Sequence, residues 1–457
     1  MPSTTAGESA LLSLRAGVPG ATHAGVTRLP GTERKVVLVS VDEGVRRGAL
    51  GAADSETVAE AAAMALAQRL PLVVVVASSG ADIHEGVASL HGWGRAARAL
   101  SSCSGIVPVV LMTYGLAVSG PALLLGMADA VVMTDEAVAY VSGPAAVREW
   151  TGQLIHPDEL GGPRVHTRSS GVATLVAPDH EAALAMVASL IDYLPDHTDE
   201  EAPAWASDDP WDRPTPELRD LLPTSDTGSY DVRRVVAAVA DDGEYLELRA
   251  TWSPQLVTAL CRVEGRPVGV LANQPQSMAG TLDISASQKG ARFVSFCDSF
   301  NIPLLTMVDT PGFMPGKDLE WRGMIRHGAQ LVFAYAEATV PRVCLILRKA
   351  FGGAYIVMDS KGMGNDICLA WPSAQVAVMG AQGAVQILHR REDAETRGRL
   401  QVEYEERYLN PYVAAERGFV DGVIDPAESR RSVAASLRLL SSKRERLIAR
   451  KHGNGPM

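Results

Sequence analysis

A long-range repeat constrains this chain more than any single motif. Arg34-Lys35-Val36-Val37 and Arg266-Pro267-Val268-Gly269 each open an apolar run. Pro71-Leu72 follows Lys35 by 36 residues, and Pro303-Leu304 follows Pro267 by the same 36. Each second run ends in a glycine-bearing loop, at Gly80 and at Gly312. Pro108 lies 37 residues past Pro71 and Pro341 lies 38 past Pro303, and Gly120 and Gly353 then each follow by 12. Spacing shared over about 90 residues marks a duplicated domain.

The runs themselves name the fold class. Val36–Val41, Leu72–Val76, Val107–Met112 and Ala130–Met133 are apolar and β-branched without polar alternation, and Ala-rich stretches such as Ser55–Gln68 and Ile83–Leu100 lie between them. Strands of that kind separated by helices predict an α/β domain with a parallel sheet covered on both faces. Residues 195–229, rich in Pro, Asp, Ser and Thr, interrupt the pattern. It resumes with Pro267–Leu271, Pro303–Val308, Pro341–Leu347 and Gln375–Met379, and Ala427–Arg450 reads as a terminal helix. The expected organisation is a first domain over 1–200, a linker over 201–229 and a second domain over 230–457.

Composition narrows the partners. Across 457 residues, 42 Lys and Arg stand against 53 Asp and Glu, a net charge of −11, which disfavours nucleic acid or an anionic membrane as the main partner. Residues 99–128 carry no charge, but Ser101, Ser102, Pro108, Gly115 and Pro121 break them up, so strand, turn and short helix fit better than a membrane span. The opening MPSTTAGESALLSLRAG lacks the basic and apolar regions of a secretory signal, and a cytosolic protein is expected. Five cysteines (103, 261, 297, 344, 368) show no C-x-x-C spacing, so they read as buried apolar residues in a reducing compartment, with no metal in this chain.

No G-x-S-x-G elbow, H-E-x-x-H, Walker loop or G-x-G-x-x-G fingerprint is present. His84-Glu85 reads as a solvated face and His389-Arg390-Arg391 as a helix end. What remains are small-residue turns leading from strands into helices: Ser119-Gly120-Pro121-Ala122, Phe351-Gly352-Gly353-Ala354-Tyr355 and Met379-Gly380-Ala381-Gln382-Gly383-Ala384. Backbone N–H groups at such turns can stabilise an enolate or oxyanion without a side chain, although tight strand–helix packing also wants glycine there.

The C-terminal half, roughly 230–430, carries a long ordered set of motifs: Leu271-Ala272-Asn273-Gln274-Pro275, Lys289-Gly290-Ala291-Arg292-Phe293, Asp309-Thr310-Pro311-Gly312-Phe313, Gly352-Gly353-Ala354-Tyr355, Ala370-Trp371-Pro372, Ala377-Val378-Met379-Gly380-Ala381, and Asn410-Pro411-Tyr412 with Ala414-Ala415-Glu416-Arg417-Gly418. In these it closely resembles the carboxyltransferase (β) subunit of biotin-dependent acyl-CoA carboxylases. The resemblance implies a tandem crotonase-like (ClpP/crotonase) ββα superhelix of two duplicated domains. It also implies chemistry in which carboxybiotin, carried on a partner protein, releases CO2, the biotin enolate takes the α-proton of a short acyl-CoA, and the acyl enolate attacks CO2.

By the same resemblance Gly353 and Ala354 form the hole for the biotin oxygen, with Gly352, Tyr355, Gly380 and Ala381 around it. Ser119 and Gly120 form the hole for the thioester oxygen, with Arg47, Gly48, Ala49, Gly80, Ala81 and Ile356 on the acyl-CoA side. An apolar residue at the position of Ile356 goes with acceptance of acetyl-CoA as well as propionyl-CoA, and an aspartate with preference for propionyl-CoA. No biotinyl-lysine or ATP-grasp segment occurs here, so a biotin carboxylase and biotin carrier partner is implied. So is a homo-oligomer, a hexamer built as a trimer of dimers, or a mixed oligomer with a homologous β subunit. Malonyl-CoA and methylmalonyl-CoA for fatty-acid or polyketide supply would be the products.

The N-terminal half departs from the family pattern. The Gly-Gly-Ser/Ala-Met-Gly turn stands as Arg47-Gly48-Ala49-Leu50-Gly51, Ser-Gly-Gly-Ala-Arg as Ser78-Ser79-Gly80-Ala81-Asp82, and Ala-Gly-Gly-Ala as Val118-Ser119-Gly120-Pro121. A serine at 119 is strained by ~1 kcal/mol or more if its φ is positive. Three functions remain open on sequence: a working carboxyltransferase, a biotin-independent acyl-CoA decarboxylase or transferase, and an impaired companion subunit. The intact C-terminal turn disfavours the second, and the altered N-terminal turn favours the third.

Overall fold

The computed structural model describes residues 12–13, 20–225 and 227–456. The N-terminal stretch in which no secretory signal was read lies almost wholly outside them. The chain divides into two compact units, Met1–Pro203 and Ala204–Met457.

In the first unit, β1 (Leu12–Ser13), β2 (Thr22–Arg28), β3 (Lys35–Val41), β4 (Leu72–Ser78), β5 (Val109–Val118), β6 (Ala130–Thr134) and β8 (Leu175–Ala177) form one sheet in the order β1-β2-β3-β4-β5-β6-β8, and β7 (Val138–Tyr140) pairs with the far end of β5. From β3 onward every pairing is parallel. β1 and β2 are antiparallel additions, so the sheet is mixed where the sequence predicted parallel strands alone. β2 escaped notice because its sequence, THAGVTR, is only partly buried and carries little apolar signal.

The apolar runs make the core, as their lack of alternation requires. Val37, Val39, Val74, Val76, Val109, Leu111, Val131 and Met133 are buried together with Val58, Ala61, Ala62 and Ala65 of the helix Ala52–Gln68. The uncharged stretch 99–128 is the end of one helix, then β5 and the short helix Gly120–Leu125. No helix of the described residues is long and apolar enough to cross a membrane.

The second unit repeats this plan. Its strands are β9 (Tyr245–Leu248), β10 (Leu256–Val263), β11 (Arg266–Asn273), β12 (Leu304–Thr310), β13 (Arg342–Phe351), β14 (Ile367–Ala370), β15 (Gln375–Ala377) and β16 (Gly422–Val423), and they run in the order β16-β14-β13-β12-β11-β10-β9, with β15 on the far end of β13. The repetition extends to defects. The β4/β5 register slips between Val76 and Ser78, and the β12/β13 register slips between Val308 and Thr310. An isolated bridge joins Leu50 to Ala81 in one unit and Leu282 to Phe313 in the other.

Three sequence expectations shift. Residues 204–225 belong to the second unit, with Arg213 reaching the Ala238 and Ala240 carbonyls and Arg219 paired with Asp425. The helix expected from Ile83 starts at Val87, because Gly86 takes a left-handed φ of 57° and Asp82 ties the preceding loop to Ser89. The terminal helix covers Ser429–Leu439 and passes into a short 3-10 turn, ending well before Arg450. The five cysteines are free and buried, and burial lifts the Cys103 thiol to about 11 and Cys261 to about 12.

Candidate active site

In each unit the slip in register carries the strand end past its neighbour and opens a turn where backbone N–H groups are left over. In the first unit, Leu50 N–H donates to Gly80 O (2.9 Å) and Asp82 N–H donates to Leu50 O (2.9 Å). The N–H between them, that of Ala81, has no acceptor among the described residues. The turn from β5 into Gly120–Leu125 lies beside it: a side chain at Gly80 would stand 3.7 Å from Ser119 Cβ and 3.5 Å from Val118 O. Gly120 opens that helix, so its N–H has no intrahelical partner. Ala81 and Gly120 therefore present two free donors from adjacent turns, the components of an oxyanion hole.

The second unit builds the same pair. Leu282 N–H donates to Gly312 O (3.2 Å) and Met314 N–H to Leu282 O (2.9 Å), which leaves the Phe313 N–H unused among the described residues. Gly353, in the first turn of the helix Gly352–Val357, supplies the other donor, and a side chain at Gly353 would lie 3.7 Å from the Phe313 ring. Gly353 is exposed and Ala354 is buried. The resemblance pointed to Ala354 as the partner of Gly353; Ala354 is buried, and Phe313, whose N–H is unused among the described residues, has its ring against Gly353.

Motif residues hold the second hole in place. Asn273, at the end of β11, donates from Nδ2 to Gly280 O (3.2 Å) and accepts from Asp309 N–H (3.2 Å). Asp309 is buried, and burial pushes its carboxyl up against the lowering effect of Arg348. It accepts from Arg348 Nε (3.0 Å) and from Lys349 N–H (3.1 Å), which locks β12 to β13 just before the turn. Gly352 has φ 59°, and a side chain there would meet Val378 O at 3.1 Å; a side chain at Gly380 would meet the Phe351 ring at 3.4 Å, and Ala381 opens the helix Ala381–Leu388. Tyr355, read as facing biotin, has a buried side chain, and burial drives its phenol far up. Ile356 is 44 % exposed.

The first hole is braced differently. Ser119 stands at φ 62°, ψ −121°, where the other unit has Gly352, so the strain expected of a serine is present. Its N–H is spent on Tyr140 O (3.1 Å) and is unavailable to a ligand, which corrects its sequence-based role as a donor. Behind Tyr140, His166 hydrogen-bonds Ala139 O (2.8 Å) and Ser170 Oγ (2.7 Å). A side chain at Gly161 would run into Ala139 O.

The departures at Arg47 and Asp82 belong to one arrangement with Arg46. Arg46, Arg47 and Gly48 are all left-handed, matching Met278, Ala279 and Gly280 of the other unit. Arg46 pairs with buried Asp82 and, at 3.4 Å, with buried Asp54, which also accepts from Thr22 N–H and Gly51 N–H. The acidic residue at 82 thus anchors the 46–48 turn to the 80–82 loop. Arg47 is exposed, and its carbonyl accepts from Ser79 N–H (3.0 Å). Its charge opposes the upward push of burial on the Tyr140 phenol. Gly48 accepts from Ser78 Oγ (2.6 Å), and its φ of 66° together with the nearby Ala77 carbonyl excludes any side chain. Ala49, half-buried, follows in the same turn, where its N–H bonds Arg46 O (3.1 Å).

Glu85 caps the helix Ala52–Gln68 by accepting from Ala52 N–H (2.6 Å), and His389 closes the helix Ala381–Leu388, so both have structural roles. Sequence reasoning missed the Phe313 N–H. The signal was the repeat itself, which superposes Gly312-Phe313 on Gly80-Ala81.

Residues 24–455 match the family described as Carboxyl transferase domain. The propionyl-CoA carboxylase beta chain of Saccharopolyspora erythraea is 44% identical over 444 residues, covering 93% of this chain and 81% of that one. The methylmalonyl-CoA decarboxylase subunit alpha of Propionigenium modestum is 40% identical over 432 residues, covering 93% and 83%. The transcarboxylase 12S crystal structure, a hexamer with methylmalonyl-coenzyme A and methylmalonic acid bound, superposes with a TM-score of 0.93 at 42% identity, covering 96% of this chain and 85% of that one. With its two repeated crotonase-like units, this chain belongs to the carboxyl transferase family of acyl-CoA carboxyltransferases.

Proposed function

We propose that the chain is the carboxyltransferase (β) subunit of a biotin-dependent acyl-CoA carboxylase, moving a carboxyl group onto the α carbon of acetyl-CoA or propionyl-CoA. The observation that carries this reading is the repeated donor pair, Ala81 with Gly120 and Phe313 with Gly353. Carboxyl transfer between two carbonyl compounds develops negative charge on two oxygens in turn, and two preorganised holes answer that need.

Carboxybiotin, on a separate carrier protein, supplies when bound both CO2 and the base for the acyl α-proton. The second hole fits a ureido oxygen: Gly353 is exposed and open but for the Phe313 ring, and the left-handed Gly352 keeps its approach free of any side chain. Phe313 N–H and Gly353 N–H would donate to that oxygen. Ala81 N–H and Gly120 N–H would donate to the thioester oxygen, acidify the α-proton and hold the enolate charge. Each donor contributes a factor of about 10²–10³ in such sites. Arg47, Gly48 and Ala49 would border the acyl-CoA, with Arg47 adding positive charge near Tyr140. The similarity to a decarboxylase α subunit favours a second reading, in which the same holes remove a carboxyl group from a malonyl-type thioester.

The deciding experiment incubates the purified chain with a carboxylated biotin carrier protein and acetyl-CoA or propionyl-CoA. Carboxylated acyl-CoA is the expected product. CO2 released from methylmalonyl-CoA supplied without biotin, with no acyl-CoA carboxylation in the first mixture, would support the decarboxylase reading, and no reaction until a homologous β subunit is added would support the companion-subunit reading.

A further inference from the structure

Trp93 is the chemical group at the first hole that the mechanism leaves unused. It stands on the helix Val87–Cys103, and the preceding Gly92 is pressed against Ser55 and Ala52 of the neighbouring helix, which fixes where the indole falls. The pyrrole edge of the ring lies on Gly120: a side chain at Gly120 would stand 2.5 Å from both Nε1 and Cδ1 and 3.0 Å from Cε2. That close approach explains why residue 120 has to be glycine. It also places an N–H group beside the backbone donor of Gly120.

The Trp93 Nε1 is buried and has no hydrogen-bond partner among the described residues. Among the described residues of the first unit, the other buried unpartnered side-chain atoms are hydroxyls, on Thr22, Ser55 and Thr113. A hydroxyl can rotate to reach a neighbour, whereas an indole N–H is fixed by its ring and acts as donor only. Leaving such a donor buried is unfavourable unless an acceptor arrives.

We propose that the indole N–H of Trp93 is a third donor to the acyl-CoA, hydrogen-bonding its thioester carbonyl alongside Gly120 and Ala81. The inference rests on the reading of this hole as the thioester site. A side-chain donor suits a turn in which Ser119 has given up its own N–H and Pro121 has none to offer. The bond strengthens as the carbonyl oxygen gains charge in the enolate, so Trp93 acts in catalysis as well as in binding.

Titration calorimetry tests this with two ligands, propionyl-CoA and its thioether analogue, which lacks the carbonyl. Three proteins are compared: wild type, Trp93→Phe, and a form carrying benzothienylalanine at 93, in which sulfur replaces the N–H at nearly constant shape. Loss of the donor should weaken propionyl-CoA by about 3- to 10-fold in both altered proteins and leave the thioether unchanged. Equal weakening of both ligands would reduce Trp93 to packing, and wild-type affinity in the benzothienyl form would remove the hydrogen bond; either result overturns the proposal. Failure of wild type to bind propionyl-CoA at all would overturn the thioester reading of the hole, and the proposal with it.

Discussion

The N–H of Ser119 is bound to the carbonyl of Tyr140 at 3.1 Å, and this bond holds the serine at φ 62°, ψ −121°. The repeat has glycine at the matching turn, with Gly352 at φ 59°. Holding an L-residue there costs about 1 kcal/mol or more. Ser119→Gly should therefore raise the stability of the first unit by ~1 kcal/mol, less the entropy glycine adds to the unfolded chain, and keep or raise turnover. Denaturant midpoints and carboxylation rates check both parts. If turnover is abolished instead, the serine hydroxyl has chemistry of its own, and the biotin-independent reading gains.

Gly353 and Gly120 look alike in sequence and differ in space. A side chain at Gly353 meets only the Phe313 ring, at an ordinary 3.7 Å, and its backbone is not left-handed. Gly353→Val should fold normally and obstruct access to the Gly353 and Phe313 N–H groups. Carboxylation should fall by ~10²–10³ with unchanged thermal stability. Near-normal turnover would remove this turn from the mechanism.

The repeat and its glycine turns were legible because spacing and residue type record them directly. The donors at Ala81 and Phe313 were harder to find, since a free backbone N–H has no residue-type signature; only the bridges Leu50–Ala81 and Leu282–Phe313 reveal which N–H is left over. Asp82, standing where the family pattern has arginine, could not be assigned a partner from sequence because Arg46 sits in a separate loop. The spent N–H of Ser119 depends on Tyr140 O, a contact from another strand that no local pattern announces.

Apolar side chains stand exposed close to both holes. Leu123 and Met127 follow the first turn, and Ile356 and Val378 flank the second. Exposed apolar groups near a functional turn are the expected mark of a surface covered in an assembly. We expect a hexamer of this chain, or a mixed hexamer with a homologous subunit, by light scattering at working concentration. A monomer that retains full carboxyltransferase activity would contradict this.

Lys289 offers a pH test of the fold. Its ammonium is buried and donates to the carbonyls of Arg249 (2.9 Å), Trp252 (2.9 Å) and Ser253 (3.4 Å). Burial lowers its pKa to about 7 from 10.5, Glu247 opposing and Arg249 and Arg233 assisting. In the unfolded chain the lysine binds its proton at higher pH than in the fold. Its contribution is thus full above pH 10.5 and lost as pH falls toward 7. Lys289→Met leaves those carbonyls without a donor and should cost about 1–3 kcal/mol. The gap between wild type and Lys289→Met should widen as pH rises from 7 toward 10.5 in denaturant titrations. A gap independent of pH would mean that the lysine stays charged in the fold.

Substrate choice should turn on Ile356. The resemblance places this position beside the acyl pocket, and at 44 % exposure Ile356 is not a core residue of its own unit. An apolar wall discriminates one methylene by only about 1–3 kcal/mol, so wild type should accept acetyl-CoA and propionyl-CoA and discriminate more strongly against butyryl-CoA. Ile356→Asp places a carboxylate on the same helical turn. The family pattern then predicts a shift toward propionyl-CoA, with the ratio of kcat/KM values for propionyl- and acetyl-CoA rising about 10-fold. Measuring kcat/KM for the three thioesters in both proteins decides the matter. An unchanged ratio would show that the Ile356 side chain does not face the acyl group, and the selectivity would then have to reside in the 47–49 turn or the 80–81 loop.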